Sequence, residues 1–153
     1  MKILISAIGK LNKKSPESEL INNYIKKTTW PVSIKENEEK KSLSGDALKE
    51  AESRLLMACI PIGAKIIVLD ERGKELSSKE LAQQVAKWRD NGIQNIVFLI
   101  GGANGHTEAT RKKADLILSF GRMTMPHMLA RVILTEQIYR IKTILDGHPY
   151  HRE

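Results

Sequence analysis

Side chains able to carry protons concentrate in the C-terminal part of the chain. His127 directly follows Pro126 at the start of a long apolar segment, and His148, Tyr150 and His151 lie in the terminal stretch HPYHRE. Imidazole and phenol groups are common general acids and bases. A histidine at the start of a helix can equally serve as a structural cap, so its residue type alone leaves the role of His127 open.

The glycine-rich segment LIGGANG is a candidate cofactor-binding loop. Gly101, Gly102 and Gly105 separate an apolar run from a helical pattern. Glycines let the backbone approach a cofactor closely, but a tight turn between a strand and a helix requires the same residues. The spacing matches neither the dinucleotide fingerprint nor the phosphate loop. An enzyme that uses NAD or ATP is therefore only a minor alternative.

Cysteine and histidine placement argues against a metal centre. Cys59 is the only cysteine, so neither an internal disulfide nor a multi-thiolate site can form. Its apolar setting, LLMACIPIG, is typical of a buried, inert thiol. No carboxylate cluster accompanies His127, His148 and His151, and we expect no bound metal.

Composition limits the class of protein and favours an anionic partner. The chain has 153 residues and a net charge of +7, which suits nucleic acid although proteins without such partners also carry modest positive charge. Aromatic residues make up only 5%, so base stacking is not expected to dominate. No segment reaches the roughly 20 apolar residues that cross a bilayer, and no signal-peptide pattern is present. We expect a cytoplasmic protein without membrane contact.

The elements that position these residues alternate between strand and helix. Short apolar or alternating runs predict strands at 2–9, 32–39, 64–70, 95–102 and 115–120. Helical periodicity predicts helices from about residue 15, and at 44–58, 77–92, 106–114 and 126–145. The segment ERGK after Asp70 is predicted to be a turn. This order indicates one α/β domain over residues 1–153, with a mostly parallel sheet flanked by helices.

In such sheets, ligands bind beyond the carboxyl ends of the strands. The rule selects three loops: LDERGK after the third strand, GGANGH after the fourth and FGRMTMPH after the fifth. A ligand site is expected where they meet.

The last helix has two apolar faces, which is more than one sheet can cover. Ala130, Leu134, Ile138 and their neighbours form a broad face, and Leu129, Val132 and Tyr139 form a second stripe. The second stripe favours a subunit interface over a fully internal helix, and so predicts a homodimer.

Four segments together resemble a known family. LDERGKELSS, FLIGGANG, LSFGRMTMPHMLARVILTEQIYR and HPYHRE, at these separations, are similar to the small SPOUT-class methyltransferases that modify a pseudouridine of large-subunit ribosomal RNA. The resemblance implies S-adenosylmethionine as cofactor and methylation at N3 of a pseudouridine in 23S RNA of assembled ribosomes. It also implies a homodimer and a C-terminal trefoil knot, which periodicity does not predict.

The same resemblance assigns site residues. It implies a cofactor site formed by Leu69, Gly101, Gly102, Phe120, Gly121, Arg122, Met123, Thr124 and Met125. The family commonly has serine where this chain has Gly121, which removes any hydrogen bond from that side chain. Departures at Gly121 and Arg122 leave a noncatalytic, basic RNA-binding dimer of the same fold as the alternative.

Methyl transfer from a sulfonium requires alignment of donor and acceptor, exclusion of water and removal of the N3 proton. His127, Tyr150 and His151 are the candidates for that proton, with Glu136 less favoured. Arg131, Arg140 and Arg152 are the predicted contacts to RNA phosphates.

Overall fold

Five parallel strands form a single sheet in the order β2-β1-β4-β3-β5. The structure is a computed structural model that describes residues 1–152. The strands are β1 (Lys2–Ile8), β2 (Val32–Asn37), β3 (Lys65–Glu75), β4 (Asn95–Ile100) and β5 (Leu116–Ser119). Strand β2 lies at one edge, as its alternating polar pattern predicted. The predicted α/β class with a parallel sheet is confirmed.

Helices cover both faces of this sheet. They are α1 (Pro16–Lys27), α2 (Gly45–Met57), α3 (Ser78–Asp90), α4 (Glu108–Lys113) and α5 (His127–Leu145). Helix α5 packs against α1 and α3, and its Leu134, Ile138 and Ile141 belong to the larger core cluster. A smaller core on the opposite face includes Leu56 of α2. Among residues 1–152, no helix is long and apolar enough to cross a membrane.

The register of the sheet brings the carboxyl ends of the strands to one edge. Ile8 lies opposite Asn37, Ala7 lies opposite Ile100, and Ile100 lies opposite Leu69. Because all of these strands are parallel, the loops that follow them emerge side by side. The edge selected from the sequence is therefore a continuous surface.

Helix boundaries follow the local signals. Ser77 and Glu80 form a capping box at the start of α3, which satisfies backbone donors that no helical carbonyl can reach. Gly92 follows the end of α3 with a φ of 86°, a conformation that favours glycine. In α1, Leu20 is exposed whereas Ile21 is buried.

The predicted turn at ERGK is wrong. Strand β3 continues to Glu75, and both Leu69 and Lys74 pair with Leu118 across a bulge. A Cβ on Gly73 would lie 2.6 Å from the backbone carbon and oxygen of Ile117, so the two backbones approach too closely for any side chain. The turn-forming residues form a bulge within β3 because β5 pairs with this strand on both sides of the bulge.

Candidate active site

A cavity of about 430 Å³ opens where the three loops meet at the carboxyl edge. Its volume is in the range of about 300–1,000 Å³ that is usual for small-molecule sites. Every residue predicted to bind the cofactor lines the cavity except Arg122, which is exposed. The lining members of that set are Leu69, Gly101, Gly102, Phe120, Gly121, Met123, Thr124 and Met125.

The glycines of the second loop pack their backbone directly against two side chains. A Cβ on Gly101 would lie 3.1 Å from Cε1 of His106, and one on Gly102 would lie 2.7 Å from Oε1 of Glu52. The Gly105 N–H donates to the Gly102 carbonyl at 2.9 Å, which closes a tight turn. The glycines thus form the tight turn and also expose backbone at the cavity wall, and their contact with a cofactor stays a prediction.

His106 is a site residue that sequence reasoning missed. Its side chain is buried, lines the cavity and donates through Nε2 to the Leu69 carbonyl at 3.0 Å, because a carbonyl can only accept. Its Nδ1 has no hydrogen-bond partner among the described residues. Burial lowers the pKa of His106 despite the nearby Asp70, so the ring is neutral. A lone histidine after a glycine-rich loop gives no sequence signal of this burial.

A buried carboxylate connects the first two loops. Asp70 accepts from the Arg72 N–H at 2.9 Å, and its Oδ2 lies 3.5 Å from Nη1 of Arg111. Arg111 also donates to the His106 carbonyl at 2.8 Å. This cation of the basic run RKK therefore fixes the cavity wall, which sets it apart from the solvated lysines of the same helix.

The third loop is shaped by Gly121, which has a φ of 117°. Its N–H donates to Oγ of Ser119 at 3.0 Å, and Ser119 donates back to the Gly121 carbonyl at 3.1 Å. A serine at position 121 would be strained in this conformation, so the departure from the family pattern matches the backbone. The loop then leads through Pro126 into α5, whose first residue, His127, lines the cavity.

The other two catalytic candidates lie away from this cavity. Tyr150 donates to Oε1 of Glu136 at 3.0 Å, and its ring centroid is 4.6 Å from that of Tyr139. Burial and the Glu136 carboxylate raise the pKa of Tyr150. Arg140 donates to Nδ1 of His151 at 3.2 Å. Within one chain, the tail is docked along α5, and His127 is not brought together with Tyr150 or His151.

The three predicted RNA-binding arginines are in different environments. Arg131 is only 1% exposed, and its Nη1 donates to Oε2 of Glu36 at 2.6 Å. Arg140 is held by Glu136 and stacks over the Tyr150 ring at 4.8 Å. Only Arg152 presents an exposed side chain. The placement of Arg131 does not favour a phosphate contact, because its position on α5 faces the interior beside β1 and β2.

Other reactive groups in the described part of the chain are structurally engaged. The Cys59 Sγ lies 3.1 Å from Oγ of Ser6 and 3.4 Å from the Leu56 carbonyl, and the residue is half-buried rather than buried as predicted. Over residues 1–152, no group of three or more His, Cys, Asp or Glu side chains is arranged to hold a metal ion. Glu153, the last residue of the HPYHRE segment, lies outside the described residues.

Comparison with known proteins confirms the family resemblance. Residues 1–151 match the family described as "Predicted SPOUT methyltransferase". The chain is 51% identical over 152 residues to "Ribosomal RNA large subunit methyltransferase H" of Paramagnetospirillum magneticum, which covers 99% of both chains. It is 45% identical to the protein of the same name from Rhodospirillum centenum, again over 99% of each chain.

A solved structure shares the fold. It is a probable methylase family protein from Haemophilus influenzae, with a TM-score of 0.55 and 10% identity, and the match covers 99% of this chain and 70% of that one. At this identity the likeness concerns the fold alone.

Proposed function

Because the chain belongs to the SPOUT methyltransferase family, we propose that it transfers a methyl group from S-adenosylmethionine to N3 of a pseudouridine in 23S RNA of assembled ribosomes. Methylation of large-subunit ribosomal RNA is the activity that its relatives' names state. The N3 position, the pseudouridine and the ribosome as substrate are what the family resemblance implies, and that resemblance is carried by LDERGKELSS, FLIGGANG, MTMPHMLARV and HPYHRE.

The observation that carries the proposal is the cavity formed jointly by the three loops. Backbone of Gly101, Gly102 and Gly121 faces it without side chains, and the apolar Leu69, Phe120 and Met125 complete its wall. Such a cavity suits a flat, partly apolar nucleoside held by main-chain groups. S-adenosylmethionine, when bound, supplies an activated methyl group. The protein must then hold the acceptor base in line and exclude water.

Of the three proton-transfer candidates, we favour His127. His127 lines the cavity. Tyr150, by contrast, donates its proton to Glu136, and its raised pKa keeps the phenol protonated, so it is not available as a base. His151 accepts from Arg140 through Nδ1, so a neutral ring carries its proton on Nε2 and has no lone pair free there. His127→Asn tests this role, with kcat expected to fall by a factor of about 10²–10⁴ while cofactor affinity is retained.

A homodimer is the second part of the proposal, and the second stripe of α5 supports it. Leu129 is 45% exposed and Val132 is half-buried, but Tyr139 is already in contact with Tyr24 and Tyr150 of its own chain. Leu129→Asp is therefore a cleaner test than a change at Tyr139. We expect it to yield monomers in sedimentation, whereas Leu43→Asp, a matched change at another exposed leucine, should not. A dimeric Leu129→Asp variant would contradict this interface.

We also place the protein in the cytoplasm with its ribosomal substrate, as one domain over residues 1–153 with a C-terminal trefoil knot. All strands belong to one sheet, which supports a single domain. Strand β5 pairs with β3, and α5 then packs between α1 and α3, an arrangement that accommodates the family's threaded chain.

The deciding experiment supplies labelled S-adenosylmethionine and ribosomes that lack the modification. We expect label in 23S RNA, at a pseudouridine. Absence of transfer to ribosomes and to free large subunits would contradict the proposal. Calorimetry with S-adenosylmethionine separates this enzyme from a noncatalytic RNA-binding dimer, since only the enzyme requires cofactor binding.

A further inference from the structure

A strongly basic surface lies beside the cavity, where β1 and β2 end. We call it the basic ledge: the loop of residues 9–15 between β1 and α1, together with Lys40 and Lys41 after β2. Residues 9–15, GKLNKKS, contain lysines but no acidic residue. Lys10, Lys13, Lys14, Lys40 and Lys41 are all exposed.

Glu38 and Glu39, which directly precede Lys40 and Lys41, offset part of this charge, but residues 9–15 carry three lysines with little compensation. Lys10 lies 3.7 Å from Glu38, and both side chains are largely exposed, so the pair contributes little. Lys13 and Lys14 have no ion-pair partner in the described part of the chain. The half-buried Glu36 is already engaged, since it accepts from the Leu11 N–H at 2.7 Å and from Arg131.

The ledge is fixed to the wall of the cavity by the first turns of α5. Nη2 of Arg131 donates to the Gly9 carbonyl at 3.3 Å, and Cε of Met128 lies close to Gly9, 3.9 Å from where a Cβ would be. The same part of α5 supplies His127 and Ala130 to the cavity. The ledge and the cavity therefore share one rigid element and one edge of the sheet.

The environments of the predicted phosphate-binding arginines also favour the ledge as the RNA contact. Of the three predicted phosphate contacts, Arg131 is buried, Arg140 is held by Glu136 and only Arg152, near the end of the tail, is exposed, so the cations that flank the cavity at the ends of β1 and β2 are the ledge lysines. We infer that the basic ledge binds backbone phosphates of the RNA strand that delivers its target nucleotide to the cavity. This inference rests on the proposed function and adds the surface through which the RNA is held.

The test compares a variant that lacks two ledge charges with a control variant that lacks two charges elsewhere on the protein. Lys13→Ala with Lys14→Ala is the ledge variant. The control is Lys26→Ala with Lys87→Ala, which lowers net charge equally at the ends of α1 and α3. These helices run antiparallel to the strands and lead back to the amino edge of the sheet, so the control charges lie far from the cavity.

The measurements are affinity for large-subunit ribosomal RNA at several salt concentrations, and KM and kcat for ribosomes. Two lost contacts to single-stranded phosphates should lower the slope of log affinity against log salt by about 1.4, and affinity on the order of tenfold at 0.15 M salt. KM should rise by a similar factor, with kcat and cofactor affinity unchanged. Lys13→Arg with Lys14→Arg should retain wild-type affinity.

Wild-type affinity and slope in the ledge variant would overturn the inference, as would an equal loss in the control, which would attribute the effect to net charge alone. RNA binding is measured without catalysis, so the two proposals fail separately. A ledge-dependent slope without methyl transfer would sink the proposed activity and leave the ledge as an RNA-binding surface.

Discussion

The ion pair of Arg131 and Glu36 joins α5 to the ends of β1 and β2. Removing the charge of Glu36 should destabilise the fold more than removing Arg131 itself. Glu36→Gln keeps the shape of the acceptor but removes its charge. Arg131 is 1% exposed, its Nε has no hydrogen-bond partner among the described residues, and among those residues its side chain's other hydrogen bond goes to the Gly9 carbonyl at 3.3 Å. The variant therefore leaves a buried guanidinium with little to compensate it.

The magnitude follows from burial. Removing one partner of a fully buried pair costs about 3–5 kcal/mol. The Glu36 side chain is 31% exposed, so water replaces part of the lost interaction, and we expect about 2–3 kcal/mol for Glu36→Gln. Arg131→Met removes the buried cation itself and leaves Glu36 its Leu11 N–H and solvent, so we expect it to cost less, about 1 kcal/mol.

Urea unfolding at a fixed protein concentration measures both variants. We expect a lower midpoint at unchanged slope for Glu36→Gln, and a melting temperature lower by about 5–10 °C. Burial alone would raise the pKa of Glu36, but the Leu11 N–H and Arg131 outweigh it and lower the pKa. The stabilisation contributed by the Glu36 charge is thus fully present above pH 4.5 and is lost as pH falls through the lower folded-state pKa. The difference in free energy of unfolding between wild type and Glu36→Gln should therefore narrow in acid. A Glu36→Gln protein within about 0.5 kcal/mol of wild type, or one more stable than Arg131→Met, would refute this reasoning.

Three further changes test other parts of the structure. Gly73→Ala should destabilise by about 2 kcal/mol or more, because its Cβ would meet the Ile117 backbone, and urea unfolding would detect it; wild-type stability would exclude the close approach of β3 and β5. Because burial lowers the pKa of His106, stability present above pH 6.5 is lost as pH falls toward the folded-state pKa. His106→Leu should flatten that dependence in melting curves between about pH 7 and 5, and an unchanged dependence would contradict a neutral buried ring. Tyr150→Phe should cost about 0.5–1.5 kcal/mol. Because the pKa of Tyr150 is raised, part of the wild-type tyrosine absorbance change in an ultraviolet titration should occur above the usual phenol pKa, and loss of that part in the variant assigns it to Tyr150.

Local signals predicted most of the secondary structure and the location of the cavity. The capping box at Ser77 and Glu80 satisfies donors within its own helical turn, so it can be read from neighbouring residues. The cavity was predictable because the carboxyl ends of parallel strands must share an edge, and the three loops follow strands that the sequence marks clearly. Gly121 was recognised as a departure from the family, but its φ of 117° required the backbone.

The failures occurred where a distant segment decided the outcome. ERGK has the composition of a turn, yet β5 pairs with it and converts it into a bulged strand. Arg131 looks like a surface cation on a helical pattern, but β1 and β2 supply Gly9 and Glu36 to bury it. His106 lies in the loop before α4, and its buried ring finds its hydrogen-bond partner in the carbonyl of Leu69 on β3, which is distant in sequence.

The sequence by itself determined the alternation of strands and helices, the family and the three loops, because these depend on periodicity and on motifs of adjacent residues. Only the tertiary structure decided which cations remain exposed beside the cavity. A cation's availability depends on the carboxylates and carbonyls that folding brings to it, as Arg131 and Lys13 illustrate, and that pairing is not encoded in the spacing of either residue.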